Sequence, residues 1–139
     1  MIEKTADLNS CRAIRREVFI LEQAVPEAEE WDGRDGQAIH LLARDAAGTA
    51  VGTARILVQG ATGKIGRVAV LKRARGTGMG AALVRAALAE LRAMPGVTRA
   101  KLGAQTHAIG FYEKLGFAAY GPEYDDAGIP HRDMALDLG

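Results

Sequence analysis

The sequence predicts an α+β fold in which helices pack on one central mixed sheet, and three observations point there. Residues 6–23 and 79–94 repeat apolar side chains every three or four positions, the period of a helix with one buried face. Between them, residues 38–71 break into β-rich runs separated by glycine-containing turns, the pattern of an antiparallel meander. Beyond residue 97, strand-like and helix-like stretches alternate, which makes the sheet mixed.

In chain order, "MIEKT" alternates and predicts a short edge strand. In "ADLNSCRAIRREVFILEQ", Leu8, Cys11, Ile14, Arg15, Val18 and Phe19 fall on one helical face, and Asp7 can cap the exposed N–H groups at its start. "PEAEEWDGRDG" predicts a short helix with Pro26 in its first turn, then a loop from Trp31 to Gln37. "AIHLLAR", "TAVGTARILV" and "KIGRVAVL" are strands joined by "DAAG" and "GATG". "MGAALVRAALAELRAM" is the clearest helix, rich in alanine and leucine and stopped by Pro95-Gly96. "TRAKLGA" is a strand, "AIGFYEKLG" a short helix closed by Gly116, and "FAAYG" a strand. "PEYDDAGIP" reads as a loop and "HRDMALDL" as the last strand.

Length and composition bound the function. A chain of 139 residues supports one domain, residues 1–139, with a real core but no room for separate cofactor and substrate domains. A net charge of +1 removes any whole-chain argument for nucleic acid. The single cysteine, Cys11, excludes an internal disulfide and a cysteine metal site, and its apolar-periodic setting marks it as a buried small hydrophobe. No run approaches the ~20 apolar residues of a membrane span, and the N-terminus lacks the apolar core of a signal peptide, so a cytoplasmic location is expected.

The chemistry concentrates in "KRARGTGMG". Lys72, Arg73 and Arg75 precede Gly76, Gly78 and Gly80, and a helix begins at once. A helix start offers unpaired N–H groups and a partial positive charge, and glycine lets a ligand approach bare backbone. Together they predict an anion cradle suited to a diphosphate. A Walker loop would need Lys and then Ser or Thr after the last glycine, but Ala81 and Ala82 stand there. A dinucleotide fold would need an acid on the next strand, which carries Arg99 and Lys101 instead.

With these residues in view, "VAVLKRARGTGMGAAL" resembles the acetyl-CoA signature of the GCN5-related N-acetyltransferase (GNAT) family, with Arg75, Gly78 and Gly80 at the defining positions. "AQTHAIGFYEKLGF" resembles the family's second signature. "VFILEQAVPEAEEWDG" and "YDDAGIPHRDMAL" are similar to its small, bacterial, ElaA-like branch. The resemblance spans about residues 12–136. It implies a GNAT domain in α/β/α layers, a mostly antiparallel sheet with one splayed pair of strands, and helices on both faces. It implies acetyl-CoA as acyl donor and an amine of a small molecule or peptide as acceptor, with neither nucleic acid nor membrane as partner; small sheets of this kind often pair, so a homodimer is also expected. Val68, Ala69 and Val70 would meet the pantetheine arm, with the Val70 N–H facing the thioester carbonyl. Arg75, Gly76, Thr77, Gly78, Met79, Gly80 and Ala81 would wrap the pyrophosphate. Gln105 stands where the family commonly has Asn, and Tyr112 at the position of its general acid.

Acetyl transfer needs a neutral amine, a donor for the developing oxyanion, and a proton for the departing sulfur. A phenol such as Tyr112 is protonated at neutral pH and suits the last task. Glu22, His107 and His131 are the candidate bases, whereas His40 lies in an apolar strand and reads as core. Arg55 and Arg67 sit in apolar stretches where an arginine needs a partner. They are expected to line the acceptor cleft and to pair with Glu22 or a substrate carboxylate. Glu27, Glu29, Glu30, Asp32 and Asp35 flank the expected entrance and could attract a cation. Two non-catalytic readings keep the cradle: an acyl-CoA-binding sensor module, and a partner-binding domain with a relic site.

Overall fold

The computed structural model describes residues 1–139. One seven-stranded sheet runs in the order β1-β2-β3-β4-β5-β7-β6. Its strands are β1 (Ile2–Thr5), β2 (Ile39–Arg44), β3 (Ala50–Gln59), β4 (Thr62–Val70), β5 (Arg99–Gln105), β6 (Ala118–Asp126) and β7 (Ile129–Asp137). Every neighbouring pair is antiparallel except β4–β5, which is parallel. The helices are α1 (Leu8–Arg15), α2 (Glu27–Glu30), α3 (Met79–Arg92) and α4 (Ile109–Glu113).

Alternation along the strands divides the core between two faces. On one face, Leu83, Val84, Ala87, Leu88 and Leu91 of α3 pack on Leu41, Ala43, Ala54, Ile56 and Ile65. On the other, Cys11, Ile14 and Val18 pack on Leu42, Val51, Ala69 and Leu71. Each such leucine or isoleucine contributes roughly 1.5–3 kcal/mol by leaving water. Helices therefore cover both faces. The Asp7 carboxylate accepts from the Ser10 N–H at 3.1 Å and caps α1 as the sequence predicts.

Two expectations fail locally. The first long helix is not uniform: α1 gives way at Arg16 to a π-helical segment, Arg16–Glu22, in which the Gln23 N–H reaches the Val18 carbonyl at 3.1 Å. Residues 122–130 are not a loop but the heart of the β6–β7 hairpin, turned at Ala127-Gly128, both with positive φ (54° and 81°) as a two-residue hairpin turn requires. Pro122 is tolerated because β6 is an edge strand with a register shift between Tyr120 and Tyr124. Pro130 lies beyond the end of the β5–β7 pairing, so no ladder bond is lost there.

A β-bulge shapes the centre of the sheet. Thr53 pairs with Ala69 and Arg55 with Gly66, so Arg67 and Val68 together oppose Ala54 alone. Arg67 takes the left-handed conformation, φ 51°. Parallel pairing of β4 with β5 stops at Lys64–Lys101, although both strands continue. Past that point they part and leave an open wedge.

Candidate active site

The wedge exposes one edge of β4. The Leu71 N–H donates to Val51 on β3 at 2.8 Å, so alternation directs the N–H and C=O of Val70 to the opposite edge, toward β5. The Val70 carbonyl accepts from Arg75 Nε at 3.0 Å.

The glycine run follows directly. Lys72–Ala74 forms one 3₁₀ turn, and α3 starts at Met79 with no side-chain cap. The six backbone N–H groups of residues 76–81 find no acceptor within the chain. Gly76 and Gly78 have φ of 80° and 82°, a region costly for other residues, and a Cβ at either would meet open space. Glycine here serves the turn of the backbone, and the turn aims the N–H groups outward. Lys72 and Arg73 stand beside them without acidic partners. This is the geometry expected of an anion cradle.

Glu22, at the end of the π-helical segment, is bound by Arg75 through two bonds of 2.6 and 2.8 Å. The expected pairing of Glu22 with Arg55 or Arg67 does not occur. The Arg75 hydrogen bonds hold the Glu22 carboxyl below its ordinary value, which makes it a poor proton acceptor. The pair ties the first helical segment to the mouth of the cradle.

Beside the wedge lies a cavity of about 280 Å³. The expected residues that line it are Val68, Arg67, Gln105, Tyr112 and His131. Glu22 and Arg55 do not reach it. Tyr112 packs edge-on against Phe111 and Phe117, and burial alone pushes its phenol up to about 12. His131 Nδ1 lies 2.7 Å from the Ile129 carbonyl. A carbonyl only accepts, so Nδ1 carries the proton, and in the neutral ring Nε2 is the nitrogen with the free lone pair. The imidazole is stacked on Tyr124, whose hydroxyl donates to Asp133 at 2.8 Å. A Cβ at Gly103 would fall 2.5 Å from that hydroxyl, so glycine there lets the ring lie across β5. Gln105 Nε2 donates to Gln23 at 2.9 Å, while His107, a candidate base, donates from Nε2 to Gln105 Oε1 at 2.7 Å and does not line the cavity.

Arg55 and the acidic segment have a different fate. Arg55 binds Asp32 at 2.8 Å and Asp35 at 3.1 Å. Arg15, almost fully buried, binds Glu30 at 2.9 Å and Asp35 at 2.8 Å. Arg67 Nε is 3.0 Å from Glu30, too poorly aligned for a hydrogen bond. Burial would raise Asp35, but bonds from Arg15, Arg12 and Arg55 outweigh it and hold the carboxyl at about 2. Trp31 lies over the guanidinium groups of Arg15 and Arg16, with 5.2 and 5.7 Å to the ring centre. Of the five acids expected to draw in a cation, Glu27 pairs with Arg16, and Glu30, Asp32 and Asp35 are taken by this network. Glu29 alone lines the cavity without a cationic partner.

Sequence reading missed four polar lining residues: Gln23, Lys64, Tyr124 and Asp126. Tyr124 and Asp126 lay in a segment read as loop, and Gln23 is brought round by the π-helical turn. The signal for Lys64 was its place opposite Lys101, visible only once β4 and β5 are paired.

The acetyltransferase (GNAT) domain model matches residues 4–138. YjcF of Bacillus subtilis, described as an uncharacterized N-acetyltransferase, is 38% identical over 125 residues, covering 89% of this chain and 88% of its own. The crystal structure of Escherichia coli ElaA superposes with a TM-score of 0.85 at 31% identity, over 98% of this chain and 99% of its own. An acyl-CoA N-acyltransferase from Pseudomonas aeruginosa superposes with a TM-score of 0.84 at 32% identity, over 98% of this chain and 97% of its own. With a matching family model over nearly its whole length, a wedge between β4 and β5, and a backbone cradle at its mouth, the chain belongs to the GNAT family of acetyl-CoA-dependent acyltransferases.

Proposed function

We propose that the protein transfers an acetyl group from acetyl-CoA to a primary amine of a small molecule or peptide, by direct attack with both reactants bound together. The reading rests on one observation: Tyr112 and His131 line the same cavity, beside the wedge that the cradle closes. The chain's residues fit the donor. Six unpaired N–H groups from Gly76 to Ala81, with Lys72 and Arg73 beside them, suit a pyrophosphate. The free edge of β4 at Val68–Val70 suits an arm carrying amides, which would add to the sheet as a strand does. When bound, acetyl-CoA supplies a thioester whose carbonyl carbon is open to an amine.

The remaining work falls to side chains. The carboxylates of Glu29 and Asp126, both lining the cavity, attract and hold an ammonium group. His131 Nε2 takes one proton from it, directly or through water, and Nδ1 stays bound to the Ile129 carbonyl. The Val70 N–H faces the wedge and can donate to an oxygen that gains charge. Tyr112 keeps its proton at neutral pH, because burial lifts it to about 12, and can give that proton to a departing sulfur. Gln105, held by Gln23, shapes the wall between these groups. Arg75 and Glu22 act as positioning residues for the cradle and not as acid or base.

Tyr112→Phe keeps the ring and its packing but removes the donor. Turnover should fall about 100-fold or more, the usual contribution of a general acid, with acetyl-CoA affinity nearly unchanged. Turnover within about threefold of wild type would make Tyr112 a packing residue. Release of free thiol across a panel of amines separates this enzyme from a sensor that only binds acyl-CoA.

A further inference from the structure

We infer that the acceptor carries an anionic group, a carboxylate or phosphate, at the end away from its amine, and that Lys64, Lys101, Arg99 and Arg34 form the shelf that receives it; this rests on the amine-acetylation reading above. The shelf is a second depression, of about 340 Å³, and no acidic side chain lines it. Lys64 and Lys101 are direct register partners on the parallel pair β4–β5. Strand alternation puts Arg99 on the same face as Lys101. Gly63, which neighbours Lys64, faces α3, where a Cβ would collide with Leu91. The cations therefore point away from α3, toward the open face of the sheet.

Two lysines directly opposite one another repel and destabilise a strand pair. Seven arginines elsewhere, Arg12, Arg15, Arg16, Arg44, Arg55, Arg67 and Arg75, each meet a carboxylate. Two acids stand near the shelf: Asp133, 3.8 Å from Lys101, also accepts the Tyr124 hydroxyl, and Asp137, the register partner of Arg99, accepts the Gly139 N–H and forms no ion pair. The Tyr120 ring lies under both Arg99 and Lys101, at 5.3 and 5.8 Å, and gathers their charges on one side. With a net charge of only +1 overall, this concentration of cations is a local feature. It has the composition of a site that an anion completes.

Position selects the anion. Lys64 lines the shelf and also the cavity that holds Tyr112 and His131. One molecule can place an ammonium between Glu29 and Asp126 and an anionic group against Lys64, Lys101 and Arg99. The phosphates of the donor are a poor alternative: Val70, beside the cradle, lies six residues along β4 from Lys64, about 20 Å at the rise of a strand.

The test uses the full chain with saturating acetyl-CoA, so that the cradle is filled. Thiol release is measured for ω-amino acids, ω-aminoalkylphosphonates and uncharged ω-amino alcohols of increasing chain length. At the best length, kcat/KM for an anionic amine should exceed that of the matched alcohol by about 10-fold or more, and the ratio should shrink as salt screens the shelf. In an Arg99→Gln/Lys101→Gln variant with an unchanged melting temperature, that ratio should approach one. A titration with propylphosphonate, which has no amine, should shift the amide resonances of residues 64 and 99–101. Turnover without preference for the anionic series overturns the shelf and leaves the transferase reading standing. Absence of turnover with every amine counts against the transferase reading, and the propylphosphonate titration still decides the shelf: resonances that stay fixed overturn it.

Discussion

Two polar regions flank the wedge, and they are built in opposite ways. In the network of Arg15, Arg55 and Arg67 with Glu30, Asp32 and Asp35, charged groups leave water and meet partners from the same chain. In the cradle of residues 76–81, six N–H groups meet none. Burial with internal partners fixes a loop in place, whereas polar groups aligned outward and left unpaired mark where a ligand is expected. Arginine in an apolar strand thus signalled structure at Arg55, and glycine at a helix start signalled a row of outward N–H groups.

The comparison breaks most severely at Arg15. Arg15→Ala leaves Glu30 and Asp35 buried with fewer cations, and removal of one partner from a buried pair costs about 3–5 kcal/mol. Thermal or urea unfolding should show a loss of that order, with the surviving folded protein still binding acetyl-CoA. A stability change below about 1 kcal/mol would mean that water reaches the network and satisfies it.

The cradle should respond the other way, with a loss of binding and little loss of fold. Gly78→Glu puts bulk and negative charge among outward N–H groups, and acetyl-CoA affinity should fall at least ~30-fold, about 2 kcal/mol. Calorimetric titration reads it directly. Asn tolerates a positive φ better than most residues, so Gly78→Asn should lose much less and separates charge from backbone strain.

Acid sharpens the contrast further. The Asp35 carboxyl is held at about 2 in the folded protein, below the ordinary aspartate value. A depressed carboxyl stabilises the fold above its unfolded pKa, and that stability disappears as pH falls through the folded value. Asp35 should therefore contribute about 2 kcal/mol at neutral pH, lost between about pH 4 and pH 2. Asp35→Asn should flatten that part of the stability–pH curve, as measured by urea unfolding across the range.

Much of the fold was legible because local periodicity and tertiary burial agree. α3 and the meander β2–β4 stand within a residue or two of where apolar spacing put them. The β6–β7 hairpin was not legible, because Pro122, Pro130 and the acidic pair Asp125-Asp126 carry the signals of a loop. Only the sheet order reveals that β6 is an edge, where proline is tolerated. The π-helical turn was hidden for a similar reason: Leu21 extends the apolar pattern of the helix yet is 70% exposed. At the site, the glycine run and Tyr112 were readable as motifs. The partners of Glu22 and Arg55 were not, since they depend on which of several nearby opposite charges each side chain reaches in three dimensions.

Trp31 has a practical consequence. It is the only indole in the chain, and it lies against the Arg15 and Arg16 guanidinium groups with its Nε1–H on Glu27. Its emission therefore serves as an intrinsic optical gauge of the buried network. Excitation selective for tryptophan reports on that loop and its ionic neighbours, with no label attached and no second indole to blur the signal. Loosening of the loop can then be followed separately from events at the cradle, in the same cuvette and on the same molecule.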